Sequence, residues 1–296
     1  MVDEKLVASI TRAVLEQIGS AGISGAPCAP AARRGDAGSL VQDGELIDLR
    51  TQENKTAITL ERAQNMDMVE QMRKTTPARI GVGSAGPRLR TRTYLTLRAD
   101  HAGARDAVFR DVDEDLLARM GLFTVQTLCS DRNEHLTRPD LGRQLSEETK
   151  RELRSKCQMS PQVQVYVADG LSSQAIDANI EDFLPALMDG LQDLGIQTGT
   201  PFFMRYGRVP AMDVVSETLD AEVTMVLVGE RPGLVTANSM SAYIAYRAKV
   251  GMPEGRRTVV SNIHSGGVPA PEAGAHVAQL IKTILEARTS GVDLQR

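Results

Sequence analysis

The sequence predicts an α/β protein: a mostly parallel sheet with helices on both faces, Rossmann-like, in a C-terminal domain that follows a mainly helical one. Three observations predict it. From Gln162 onward, near-continuous runs of Val, Ile and Leu alternate with amphipathic stretches, the signature of strands buried on both faces. Residues 44–155 are rich in helix formers with capping residues at their starts. Ahead of both, a short amphipathic segment stands apart behind a stretch rich in Gly, Ala, Pro and Ser.

Residues 3–19 read as an amphipathic helix, with Leu6, Val7, Ile10, Val14 and Ile18 on one face. Residues 20–43 have little to bury and read as a flexible linker. A sticky helix on a tether is a docking tag; a helix packed on its own domain is the plain alternative. Within 44–155, candidate helices run from Leu60 to Lys74, Tyr94 to Arg110, Glu114 to Met120 and Leu145 to Gln158. Pro77 stops the first, and Ser146 with Glu147 and Glu148 opens the last.

The C-terminal domain, 156–296, carries five candidate strands, at 163–169, 195–204, 222–230, 241–247 and 257–263. Helical stretches lie near 172–194, 211–220 and 271–289. Pro185 falls inside the first of these, so a restart is expected there, with Asp182 as cap and Pro185 in the first turn.

Composition narrows the function. A net charge of −4 gives the whole molecule no electrostatic case for nucleic acid or an anionic membrane. No apolar run approaches the ~18 residues of a membrane span. Three widely spaced cysteines, Cys28, Cys129 and Cys157, fit neither a disulfide framework nor a zinc ribbon, and point to a reducing cytoplasm. Trp is absent and aromatics are 3%, so the core must be aliphatic.

In open α/β sheets, ligands gather at the carboxyl ends of strands. Here those ends read 169–173 (DGLSS), 205–209 (RYGRV), 229–233 (GERPG) and 261–267 (SNIHSGG). They combine Gly, which lets a backbone approach a ligand closely, with Arg208, Glu230, Arg231 and His264. His264 reads as a hydrogen-bonding residue of a Gly-rich loop in preference to a base or metal ligand. Ser172 and Ser173 read as helix caps. Gly81 to Gly86 (GVGSAG) matches a dinucleotide fingerprint in letters only, because Pro87 follows and no βαβ unit surrounds it. Arginines 79, 88, 90, 92 and 98 form a local basic cluster, either a solvated face or a surface for an anionic partner. Arg138 and Arg143 mark a second such stretch.

Six blocks together resemble one family. ARIGVGSAGPRLRT (78–91), LTRPDLGR (136–143), VADGLSSQAI (167–176), GTPFFMRYGRV (199–209), LVGERPGL (227–234) and SNIHSGG (261–267) are similar, in order, to the small subunit of ethanolamine ammonia-lyase. The resemblance spans about residues 55–296; the first 54 match only in type. It implies a hetero-oligomer that converts ethanolamine to acetaldehyde and ammonia with adenosylcobalamin. Substrate contacts, and with them the catalytic residues, would lie on a large partner subunit, and the cobalamin between the two. Carried over residue by residue, the family's cobalamin contacts fall at Val209, Glu230 and Val259. Family members compared at Val259 carry Cys, so this chain departs there. If the family contact runs through the backbone the change is harmless; if through the thiol, part of the grip is lost.

The resemblance also gives the N-terminus a role. Ethanolamine breakdown is often enclosed in a bacterial microcompartment, a cytoplasmic protein shell, and residues 3–19 are similar to the helices that target enzymes to such shells. Two other readings stand beside the lyase. One is a non-catalytic scaffolding subunit of the microcompartment, supported by the change at Val259. The other is a nucleotide-binding oxidoreductase, resting on GVGSAG.

Overall fold

The computed structural model describes residues 48–294; the expected targeting helix (1–19) and linker (20–43) lie outside the described residues. The chain opens with two short helices, α1 (Gln52–Thr56) and α2 (Met66–Lys74). The helix expected from Leu60 begins only at Met66, because the Asn65 side chain caps it by accepting from Met68 N at 3.0 Å. Strands β1 (Ser84–Ala85) and β2 (Arg88–Leu89) then form a hairpin. Its turn includes Gly86, whose φ of 61° suits glycine. The GVGSAG stretch therefore makes a hairpin turn and no strand–turn–helix unit.

Helices α3 (Thr91–Phe109) and α4 (Glu114–Arg119) follow. Next come β3 (Phe123–Gln126), α5 (Arg132–Thr137) and α6 (Glu147–Lys156). The α6 cap is the expected one, Ser146 accepting from Thr149 N at 3.0 Å. Strand β3 comes from a stretch expected to be mainly helical. Four residues are too few for periodicity to reveal, and their β state is set by pairing with a distant strand.

The remaining elements are β4 (Val163–Ala168), α7 (Ser173–Asp193), β5 (Phe202–Arg205), α8 (Ala211–Leu219), β6 (Val223–Gly229), β7 (Met240–Tyr246), β8 (Thr258–Ile263) and α9 (Ala270–Ala287). The helix α7 does not restart at Asp182; it runs 21 residues through Pro185. Pro185 is exposed while Phe183, Leu184 and Leu187 are buried, so packing of one face holds the turn that proline weakens.

The sheet order is β3-β5-β4-β6-β7-β8. Strands β3, β5, β4 and β6 pair in parallel; β7 is antiparallel to both neighbours. Side chains alternate between two cores. Val163, Val165, Val167, Met225 and Leu227 face α7 and α9, meeting Ile180, Phe183, Val277 and Ile281. Tyr166, Ala168, Phe202, Met204 and Val226 face α6 and α8, meeting Leu153, Met212 and Leu219. Each large apolar side chain so buried contributes about 1.5–3 kcal/mol, which makes this two-faced sheet the rigid base for its strand-end loops.

Candidate functional site

Reversing direction twice matters for the site. Because β7 runs against β6 and β8 runs against β7, the carboxyl end of β8 returns to the rim where β4, β5 and β6 end. Four loops expected to carry chemistry thus share one rim of the sheet.

Two of the three predicted contact residues meet in one cavity there. It measures about 200 Å³, and its wall includes Gly170, Leu171, Val209, Glu230, Arg231 and Tyr243. Glycine is needed at the back of this wall. Gly170 has φ of 56°, and a Cβ on Gly207 would stand 2.8 Å from that of Ala168. The loop after β5 therefore lies flush against the end of β4. Val209 closes that loop, and its backbone oxygen accepts from Met212 N at 3.1 Å, in the first turn of α8.

Glu230 is held from three sides. Ser239 Oγ donates to Oε2 at 2.8 Å, Ser241 Oγ donates to Oε1, and Asn262 N donates to Oε1 at 3.3 Å. The Asn262 contact exists because of a β-bulge. Ser261 and Asn262 of β8 together stand opposite the single residue Ser241 of β7. Asn262 adopts φ of 61°, which turns its N–H from the ladder toward the carboxylate. An ionised carboxylate offers about four acceptor directions. Among the described residues three donors fill these directions, which leaves one for a further donor.

Val259 does not line the cavity. It sits on β8 directly opposite Tyr243, which does, and it is 40% exposed on the edge strand. Arg231 and Val235 on the loop after β6 are also exposed. His264 hydrogen-bonds within its own loop: Nε2 pairs with Asn262 Oδ1 at 2.8 Å, and Nδ1 accepts from Gly266 N at 3.1 Å. Ser172 caps α7 by accepting from Ala175 N at 3.3 Å. In the basic cluster, Arg79 pairs with Asp100, Arg90 with Glu61 at 2.6 Å, and Arg92 with Asn54 at 3.0 Å. Much of that charge is engaged inside the chain.

Comparison with known proteins fixes the family. The model of the ethanolamine ammonia-lyase light chain matches residues 66–295. The ethanolamine ammonia-lyase small subunit of Clostridium tetani is 56% identical over 254 residues, covering 86% of each chain. That of Fusobacterium nucleatum is 54% identical over 257 residues, covering 87% of each. That of Lachnoclostridium phytofermentans is 44% identical over 295 residues, covering 99% of this chain and all of the relative. The chain belongs to the ethanolamine ammonia-lyase light-chain family. Within it, this chain is an ammonia-lyase subunit, and the oxidoreductase reading from GVGSAG is set aside.

Sequence reasoning missed a second layer beneath the cavity. Arg132 and His135, one turn apart on α5, are both buried. Arg132 Nη1 lies 3.1 Å from Asp169 Oδ2 and Nη2 lies 2.9 Å from Asp111 Oδ1. Its guanidinium also stacks 5.0 Å above the Tyr206 ring. Burial pushes the Asp169 carboxyl up to about 6, against the opposing pull of Arg132. His135 Nε2 meets the Gly170 carbonyl at 2.8 Å; a carbonyl only accepts, so Nε2 carries the proton. Burial, helped by the nearby Arg208 cation, lowers His135 to about 4. The available signal was Asp131 as a helix cap followed by polar residues three apart, which in sequence looks like a solvated turn.

Proposed function

We propose that this chain completes the adenosylcobalamin site of an ethanolamine ammonia-lyase, at its interface with a large subunit that binds ethanolamine. Adenosylcobalamin held there would supply cobalt–carbon homolysis, the radical chemistry for converting ethanolamine to acetaldehyde and ammonia. This chain's residues bind and orient the cofactor and keep water from its edge.

The residues present fit a corrinoid edge. Its periphery carries apolar methyl groups and amide arms. Val209, Leu171 and Tyr243 offer an apolar wall, and Glu230 offers one free acceptor direction for an amide N–H. At about 200 Å³ the cavity falls below the ~300 Å³ lower bound of ordinary ligand pockets, and is large enough only for a peripheral arm. A half-site is what an interface cofactor requires. Val259, exposed beside Tyr243, extends the same surface along the edge strand.

The observation that carries the reading is the meeting of Val209 and a pre-aimed Glu230 carboxylate in one cavity. Its test is a cyanocobalamin titration of the enzyme assembled with its large subunit. Glu230→Ala should weaken affinity about tenfold or more, since a hydrogen bond to a charged group contributes about 1.5–3 kcal/mol. Unchanged affinity in a correctly assembled variant removes Glu230 from the site. For residues 3–19 we propose delivery into a microcompartment shell, supported by their amphipathic pattern. A chain lacking residues 1–20 should keep activity and lose encapsulation; retention inside shells refutes this role.

A further inference from the structure

We propose that Arg132 and His135 are positioning residues, which together fix the two glycine-bearing loops that wall the corrinoid-facing cavity. The inference rests on the cofactor reading above and extends it to residues that touch no cofactor.

Both walls are tied to α5 and to the turn at Gly142 that follows it. The first wall, Gly170–Leu171, is tied by His135 Nε2 donating to Gly170 O at 2.8 Å. The second, Tyr206–Val209, is tied more heavily. Arg208 Nη2 donates to His135 O at 2.6 Å, and Arg208 N donates to Gly142 O at 2.9 Å. Arg132 covers the Tyr206 ring, and Tyr206 holds a φ of 58°, a region that costs a bulky residue energy and persists only under constraint. Asp169 joins the walls. It directly precedes Gly170, accepts from Gly207 N at 3.1 Å through Oδ1, and faces Arg132 through Oδ2. Side-chain exposure of the pair is 10% for Arg132 and 1% for Asp169.

A buried ion pair is weak evidence for stability, because hydrophobic replacement of both partners is often neutral. Its use here is geometric. Arg132 and Asp169 hold Tyr206 and Gly207 in a conformation that places Val209 and the far wall at fixed spacing. The charged and titratable groups facing Asp169 are Arg132 from α5, Asp111 from the segment before α4, Cys129 from the loop after β3, and Tyr206 with Arg208 from the loop after β5, with His135 bound to the adjacent Gly170 carbonyl. His135 stays neutral above about pH 4. Burial pushes the Asp169 carboxyl up to about 6, and protonating it removes the ionic hold on Arg132.

The experiment uses the assembled enzyme and cyanocobalamin, which has no group titrating between pH 5 and 8. The double variant Arg132→Met with Asp169→Asn removes both buried charges together and keeps an acceptor for Gly207 N. It should assemble, bind cyanocobalamin at least tenfold more weakly at pH 7.5, and show the same affinity at pH 5.5. The unmodified enzyme should lose affinity severalfold as pH falls through about 6. That arm needs no variant to fold. Parent-like affinity in the double variant, or a flat pH profile in the unmodified enzyme, overturns the proposal. Glu230→Ala separates the two levels: if it weakens binding while the double variant does not, the positioning role fails alone; if neither weakens binding, the cofactor reading fails with it.

Discussion

Ser239 and Glu230 hold each other twice: the serine hydroxyl donates to Glu230 Oε2 at 2.8 Å, and the serine carbonyl accepts from Glu230 N at 3.0 Å. The backbone bond fixes where the glutamate starts, and the side-chain bond fixes where its carboxylate ends. A carboxylate held this way loses little rotamer entropy when it meets a ligand.

Ser239→Ala keeps the backbone bond and releases one carboxylate oxygen. Cyanocobalamin affinity of the assembled enzyme should fall about threefold to tenfold, the equivalent of about 1 kcal/mol of lost orientation. Affinity equal to the parent would mean that Ser241 and Asn262 alone aim the carboxylate.

Val259 offers no polar atom beyond its backbone, and it lies outside the cavity wall, opposite Tyr243. A contact made there through the backbone is indifferent to the side chain. Val259→Cys should therefore leave cyanocobalamin affinity within about twofold of the parent. A gain of tenfold would assign the contact to a thiol.

His135 gives a signed pH effect. Its folded value, about 4, lies below the ~6.5 of an exposed histidine, so between those values only the unfolded chain takes the proton. Stability from this residue is complete above about pH 6.5 and is lost as pH falls toward 4. Asp169 works in the opposite direction. Its folded value of about 6 exceeds the ~3.9 of an exposed aspartate, so acidification from 6 toward 4 favours the folded state. The two contributions largely offset each other in the parent. His135→Gln removes one and keeps a donor for Gly170 O. Its melting temperature relative to the parent should rise steadily from pH 6.5 to 4.5. A constant difference would contradict the assignment.

Asp213 on α8 and Arg257 before β8 form a second buried pair, with Arg257 Nη2 at 2.9 Å and 2.8 Å from the two carboxylate oxygens. Asp213→Val removes the buried, two-oxygen partner of the Arg257 guanidinium and leaves it only the exposed Glu254 carboxylate, at 2.5 Å from Nη1, so it should destabilise the chain by about 3 kcal/mol. Combining it with Arg257→Met should restore most of that loss. Thermal melting of the assembled enzyme compares the two, and a double variant no better than the single would contradict the account.

Strands β4 and β6 were legible because burial on both faces wrote their apolar runs continuously, and β4 ends at the Asp-Gly that opens the site. Ser146 and Ser172 were legible because a capping hydroxyl acts on a backbone N–H three residues away. What distance sets stayed hidden. Strand β3 exists by pairing with β5, and the roles of Arg132 and His135 depend on Asp169 and Gly170, which only the fold brings near. Val209 and Glu230 were reached through family resemblance, and the loop positions through the strand-end rule; the bulge at Ser261–Asn262 that aims a third donor at Glu230 left no trace in composition. Pro185 misled for the opposite reason, since a local helix breaker was overridden by the burial of its neighbours.

We propose that the carboxyl rim of this sheet forms one half of a corrinoid site. A structure of the chain assembled with its large subunit and cyanocobalamin tests it most directly. The corrin edge should lie in van der Waals contact with Val209, with an amide arm reaching the open side of Glu230. A corrin enclosed by the large subunit alone, with the cavity between β4, β5 and β6 facing solvent, would contradict it.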